Sequence, residues 1–88
     1  MGWLTSLFGK REAPAKTEQY QDLTIAATPQ KDGSQYRLAG YIEAADGRKA
    51  QFVRADQFPE LEQAQEFSLR KAKQIIDERK GNVFEGSI

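Results

Sequence analysis

Apolar and polar side chains alternate along the middle of the chain with the period of two that half-buried β-strands show. The alternation covers residues 23–27 and 36–42, and a third run follows at residues 51–55. Asp-Gly pairs at positions 32–33 and 46–47 separate these runs, and Asp-Gly favours a two-residue type I′ hairpin turn. The pattern therefore predicts an antiparallel meander of three strands.

The pattern changes to a helical period after Pro59. Between residues 59 and 80, a stripe of apolar side chains falls on one side of an α-helix: Leu61, Ala64, Leu69, Ala72, Ile75 and Ile76. Pro59 suits the first turn of this helix, and Gly81 suits the position just past its end. We therefore predict an α+β domain over residues 20–88, in which the three-stranded meander packs on one long C-terminal amphipathic helix (β-β-β-α).

The two turns also predict which residues lie opposite each other. With two-residue loops at both Asp-Gly pairs, Gly40 lies opposite Ile25 and Val53, which leaves room for the helix to approach the sheet. The same register places Tyr41 directly opposite Phe52, on the face that the helix leaves uncovered. An aromatic pair flanked by alanines and arginines is typical of an interaction surface. This candidate interaction face comprises Arg37, Ala39, Tyr41, Phe52 and Arg54.

We expect the chain to form a homodimer through this face or through the edge of the sheet, because so small a core gains from additional apolar burial. An unknown protein partner is the related alternative. A nucleic-acid-binding transcription regulator is the second hypothesis, since sheet aromatics with neighbouring arginines stack unpaired bases in sheet-based RNA-binding proteins. Thirteen basic and thirteen acidic residues give a net charge of zero, which argues against this second hypothesis.

The first residues of the chain carry a separate apolar pattern. Trp3, Leu4, Leu7 and Phe8 gather on one side of a short amphipathic segment at residues 1–10. Residues 11–19 have the composition of a flexible linker, so the domain is predicted to carry a flexible N-terminal tail. The four apolar side chains are candidate anchor residues for a membrane-peripheral adaptor or for a partner protein. The alternative is that the segment folds back onto the domain or stays frayed.

The composition removes the usual catalytic and metal-binding side chains. The chain contains no cysteine and no histidine, so it lacks thiol nucleophiles, thiolate ligands and the commonest general base. We expect no enzyme activity, no catalytic residue, no metal site and no cofactor. No segment has the length of a membrane span or the pattern of a secretory signal, and a cytoplasmic location is expected.

Three stretches of the chain resemble the HlyU family of small bacterial proteins: QYRLAG at residues 35–40, FVRAD at residues 52–56 and EFSLRKAKQIIDE at residues 66–78. The Trp-Leu…Leu-Phe-Gly opening at residues 3–9, with the linker after it, is also similar to that family. The family is labelled a transcriptional activator, so the resemblance implies a role in transcription regulation. It carries over no catalytic or DNA-contacting residue, and the predicted fold lacks the helix-turn-helix pair of bacterial activators.

Overall fold

A computed structural model describes residues 16–80 and 82–85. These residues form one antiparallel sheet and one helix, which confirms an α+β fold with a C-terminal helix. The described sheet has five strands instead of the predicted three. The elements are β1 (Lys16–Tyr20), β2 (Leu23–Ala27), β3 (Gln30–Asp32), β4 (Gln35–Glu43), β5 (Lys49–Phe58) and α1 (Leu61–Arg79). Strand β1 begins inside the range 11–19 that the composition had assigned to a linker.

The long strand β4 lies at the centre of the sheet. Strands β2 and β3 pair with one edge of β4 in succession, and β5 pairs with the other edge. Strand β1 lies outside β2. The interruption between β2 and β3 falls at Thr28 and Pro29, because proline has no N–H to give to a strand ladder. The backbone N–H of Thr28 still donates to the carbonyl of Ala39 at 2.9 Å, so β2 and β3 together act as one bent strand.

The loop between β3 and β4 lies one residue later than predicted. Asp32 pairs with Gln35, so the loop residues are Gly33 and Ser34. Gly33 has φ +65°, which is the conformation that a type II′ turn requires at its first loop position. The pairing therefore shifts by two residues, and Ile25 lies opposite Ile42 instead of Gly40. A shift of two keeps every side chain on its predicted face.

The loop between β4 and β5 corrects the second predicted register. The N–H of Ala44 donates to the carbonyl of Arg48 at 2.9 Å, which leaves three loop residues ending at Gly47, with φ +96°. A three-residue loop with its last residue in the left-handed region is a common hairpin connection. The added loop residue moves β5 by one position relative to β4, and a shift of one exchanges the faces of the sheet.

The predicted pairs Tyr41–Phe52 and Gly40–Val53 are consequently wrong. Phe52 lies opposite Gly40, and Tyr41 lies opposite Gln51. Phe52 therefore points to the helix side of the sheet, where it is buried in the core. The pairing of β5 with β4 shifts again between Arg37 and Ala39, where residues 54–56 bulge out of the ladder.

The core lies between the sheet and α1. The predicted stripe is confirmed for five of its six residues, since Ala64, Leu69, Ala72, Ile75 and Ile76 are buried and Leu61 is half-buried. The small Ala64 and Ala72 have no exposed surface, which fits close packing of the helix on the sheet. Val83 and Phe84 fold back after the helix and pack against this core. Among the described residues, Ser68 is the one buried polar side chain, and its Oγ accepts a hydrogen bond from the N–H of Ala39 at 3.2 Å.

Candidate interaction surface on the sheet

The face of the sheet opposite α1 is called here the far face. By strand alternation and pairing it presents Thr24, Ala26, Arg37, Ala39, Tyr41, Gln51 and Val53. Tyr41 lies between Ala26 on β2 and Gln51 on β5, and Ala39 lies beside Val53. Within residues 16–80 and 82–85, the only helix packs on the other face. On the far face Val53 is 46% exposed, whereas Ala26 and Ala39 are buried, and this face is the candidate interaction surface.

A hollow of about 290 Å³ opens on the far face. Its lining combines apolar groups with hydroxyl and amide side chains: Thr28, Pro29, Gln30, Ala39, Gly40, Tyr41, Lys49, Gln51, Phe52 and Val53. The Nζ of Lys49 lies 4.3 Å from the centroid of the Tyr41 ring, so one face of the ring makes a cation–π interaction with the lysine. A concave surface with an apolar centre and hydrogen-bonding groups around it suits the binding of a protruding side chain.

Val53 is the most exposed large apolar side chain among the described residues, at 46%. Phe67 is the next, at 39%, but its ring stacks on that of Phe58 with the centroids 5.0 Å apart. The guanidinium of Arg70 lies 5.1 Å from the Phe67 ring centroid. Phe67 thus has neighbours within the fold, whereas Val53 faces the hollow.

Of the five residues of the predicted interaction face, three lie on the far face and two do not. Arg37, Ala39 and Tyr41 lie on the far face, as predicted. Arg37 is already held by an ion pair with Asp32, with 2.8 Å between nitrogen and oxygen. Phe52 is buried on the opposite face, only 2% exposed.

Arg54 leaves the predicted face together with Phe52. Its guanidinium lies 5.9 Å from the Phe52 ring centroid, and it donates to the carbonyl of Val53 at 3.1 Å. The two residues that were expected to complete an aromatic and cationic surface thus lie in or beside the core. Tyr41 and Phe52 therefore do not form the aromatic pair on which the predicted homodimer contact was centred. The homodimer itself stays a prediction.

Sequence reasoning missed four residues of the hollow that matter for binding: Pro29, Lys49, Gln51 and Val53. Three of them belong to β5, which the two-residue turn had placed in the wrong register. Asp46-Gly47 alone does not distinguish the two loop lengths, because a glycine with positive φ ends the turn in both. The candidate anchor residues Trp3, Leu4, Leu7 and Phe8 lie outside the described residues.

Asp46 orders the loop that sets this register. Its carboxylate accepts the backbone N–H of Arg48 at 3.0 Å and the side-chain Nε of Arg48 at 2.9 Å. These bonds favour the charged carboxylate, first through the backbone N–H and then through the guanidinium, and so lower the pKa of Asp46 below its ordinary value. The interaction links the middle residue of the three-residue loop to Arg48, the residue that follows the loop.

A second, larger groove runs between β1 and the first half of α1, with a volume of about 610 Å³. Its lining is almost entirely charged or amide: Lys16, Glu18, Glu62, Gln65, Glu66, Leu69, Arg70 and Lys73. Opposite charges are paired across it, with Lys73 Nζ 2.6 Å from Glu18 and Arg70 2.9 Å from Glu66. The described part of α1 therefore presents mixed charges and no continuous basic stripe.

The described residues contain neither a cluster of metal-binding side chains nor a membrane-spanning helix. In residues 16–80 and 82–85, no group of three or more Asp and Glu side chains is placed to hold a metal ion. The described helix is too polar to cross a membrane. Tyr41 and Val53 lie side by side in the lining of the hollow, which makes them the centre of the candidate surface.

Comparison with known protein families gives a match over most of the chain. A family model described as "Transcriptional activator HlyU" matches residues 2–84, which is nearly the whole chain. No curated protein and no solved structure matches the chain. The family description names a transcription regulator and no enzyme activity. The matched range includes both the described domain and the N-terminal residues that carry the apolar pattern, and the chain belongs to the HlyU family.

Proposed function

We propose that the protein is a non-enzymatic regulator of transcription that acts in the cytoplasm by binding another protein on its far face. The family description supports the regulatory role. Binding to a protein partner is supported by the hollow, in which the half-exposed Val53 lies beside Tyr41 and the buried Ala39. Exposed apolar surface of this kind, ringed by Gln51 and Thr28, is what a protein partner covers.

Contact with protein fits the described surfaces better than contact with DNA. A helix-turn-helix reader needs two adjacent helices, and residues 16–80 and 82–85 contain one. The basic side chains of that helix are balanced by acidic neighbours, as the pairs Glu66–Arg70 and Glu18–Lys73 show. On the far face, the Tyr41 ring that would stack a base already carries Lys49 over one side. Nucleic-acid binding is therefore the alternative that the experiment must test.

The shape of the far face also bears on a homodimer. A twofold contact uses the same patch on both copies, so the patch must fit itself. A hollow fits a protruding group and not a second hollow. The four strands of this face are about 4.8 Å apart and five to ten residues long, which gives a footprint below the roughly 800 Å² per partner of a standard interface. We therefore expect any homodimer through this face to be weak, and sedimentation at increasing concentration measures it.

The test of the proposed function uses two matched glutamate variants in the cells that produce the protein. Val53→Glu places a carboxylate in the hollow, whereas Ala55→Glu places it on an exposed position of the same strand. We expect Val53→Glu to give the transcript profile of a deletion strain and Ala55→Glu to give that of the wild type. The proposal is overturned if Val53→Glu regulates normally.

A binding experiment separates the nucleic-acid alternative. The purified chain is mixed with genomic DNA fragments and with single-stranded RNA at low salt, where phosphate contacts are strongest. We expect no retention. Salt-dependent retention that weakens on Arg37→Ala or Arg54→Ala would show that the protein contacts nucleic acid directly.

A further inference from the structure

We infer that the N-terminal apolar segment of this same chain, residues 3–8, docks in the far-face hollow and competes there with an external partner. The inference uses the same hollow as the proposed function but needs no second molecule. It concerns a segment whose sequence contains four large apolar side chains within six positions. Side chains of this kind gain about 1.5–3 kcal/mol each when they leave water.

The lining of the hollow is the better match for this segment. Tyr41 and the 46% exposed Val53 give the hollow its accessible apolar surface, and the buried Pro29 and Ala39 lie beneath them. In the charged groove, Leu69 is the only large apolar side chain of the lining, and it is only 7% exposed. A volume of about 290 Å³ lies at the lower limit of small-ligand sites. The hollow therefore takes one or two large side chains, and an aromatic ring such as that of Trp3 can face Tyr41 and Val53.

The position of β1 places the segment within reach. Lys16 begins β1 and lies opposite Ala27, the neighbour of Thr28 and Pro29 at the edge of the hollow. From β1 the centre of the hollow lies two to three strand spacings away, or about 10–14 Å. Residues 9–15 connect Phe8 to Lys16, and a flexible chain of seven residues has a root-mean-square length of about 15 Å. The length of the connection matches the span.

A connection of matching length gives the highest effective concentration of the segment at the hollow. For short flexible linkers this concentration is in the millimolar range, well above the micromolar concentrations used in solution experiments. Docking within one chain therefore prevails over exchange between two chains. An external partner must displace the segment, so its apparent affinity depends on residues 3–8.

Trp3 is the only tryptophan in the chain, so its fluorescence reports on this docking directly. For the full-length protein at low micromolar concentration, we expect blue-shifted emission and protection from acrylamide quenching. Val53→Glu is expected to lower the ratio of docked to free segment roughly tenfold, because a carboxylate is costly among apolar groups. Its Trp3 emission then moves to that of indole in water. The matched Ala55→Glu variant keeps the wild-type emission.

A second measurement guards against a change in fold. Val53 is 46% exposed, so a glutamate side chain can extend into solvent and far-ultraviolet circular dichroism of Val53→Glu is expected to match the wild type. Independently, Trp3→Ala leaves the domain untouched, and the methyl NMR signals of Val53 are expected to shift when Trp3 is removed. Val53 methyl signals that stay in place overturn the inference.

Three further outcomes overturn the inference in distinguishable ways. Water-like emission in the wild type shows that the segment is free. Emission that shifts blue only as protein concentration rises shows exchange between two copies. Emission that shifts only with phosphatidylcholine–phosphatidylglycerol vesicles shows a membrane anchor. If any of these is found while Val53→Glu still abolishes regulation in cells, the docking inference fails and the proposed function stands.

Discussion

Adding a single methyl group at Gly40 is expected to destabilise the protein strongly. Gly40 is buried in the middle of β4, opposite Ala27 on one side and Phe52 on the other. A Cβ at this position would lie far inside van der Waals contact with the backbone oxygen of Ala26, and 2.8 Å from Cζ of Phe52. The Phe52 ring can move, but the Ala26 oxygen belongs to the β2 backbone and cannot move alone.

The expected magnitude follows from these two contacts. Overpacking a buried site costs about 1–3 kcal/mol, and displacing β2 weakens backbone hydrogen bonds worth about 1 kcal/mol each. Replacing glycine by alanine returns about 0.4–1 kcal/mol by restricting the unfolded chain. We therefore expect Gly40→Ala to lower the free energy of unfolding by about 2–3 kcal/mol. For a chain of 88 residues, the whole free energy of unfolding is only about 4–13 kcal/mol.

Urea unfolding followed by far-ultraviolet circular dichroism measures this loss. The single variants Gly40→Ala and Phe52→Leu and their double variant form a cycle that separates the two contacts. Because leucine is shorter than phenylalanine, we expect the double variant to recover part of the loss and the Ala26 contact to keep the rest. A Gly40→Ala protein within about 0.5 kcal/mol of the wild type would refute the reasoning.

Three other predictions concern single side chains. Ser68→Ala leaves a strand N–H without its acceptor, and we expect a loss of about 1–2 kcal/mol in urea unfolding after the gain in helix propensity; Ser68→Thr, which keeps the hydroxyl, is the comparison. Val83→Ala is expected to cost about 2 kcal/mol and Val53→Ala less than about 0.5 kcal/mol, since only Val83 is buried. The lowered pKa of Asp46 favours folding above its ordinary pKa, and this contribution is lost as the pH falls through the folded value. An NMR titration of the Asp46 carboxyl should show the lowered pKa, and Arg48→Ala should raise it only in part, because the backbone N–H at position 48 remains.

The sequence predicts the faces of β2 and β4 correctly although their pairing is wrong. Alternation fixes which side chains share a face, and a two-residue shift leaves that assignment unchanged. The same alternation fails for β5 because the loop before it has three residues. A two-residue type I′ loop needs positive φ at both Asp46 and Gly47, whereas the three-residue loop needs it at Gly47 alone. Asp-Gly is compatible with both loops, so the sequence does not determine the loop length. Position 53 therefore joins the candidate surface only once the structure is known.

Strand β1 could not be predicted from local pattern. Its sequence, KTEQY, is polar, and four of its five residues are exposed. It is held in place by contacts with residues far away in the chain: the hydroxyl of Tyr20 donates to Asp77 at 2.9 Å, and Glu18 pairs with Lys73. The Gln21-Asp22 turn, with both φ angles positive, adds a type I′ hairpin without any glycine. Such contacts appear only when the helix has been placed on the sheet.

The three-residue loop at positions 45–47 has a consequence for how this family can vary in length. Loss or gain of one residue there would turn Phe52 out of the core and Val53 into it, because the side chains of β5 exchange faces. Loss or gain of two residues would keep both in place. Natural insertions and deletions at this loop should therefore occur in even numbers. The same expectation applies to the loop at Gly33 and Ser34, because a change of one residue there would turn the buried Ile42 and Leu38 of β4 away from the core. We therefore expect family members to differ at either loop by an even number of residues, whatever the identity of the residues in the loop.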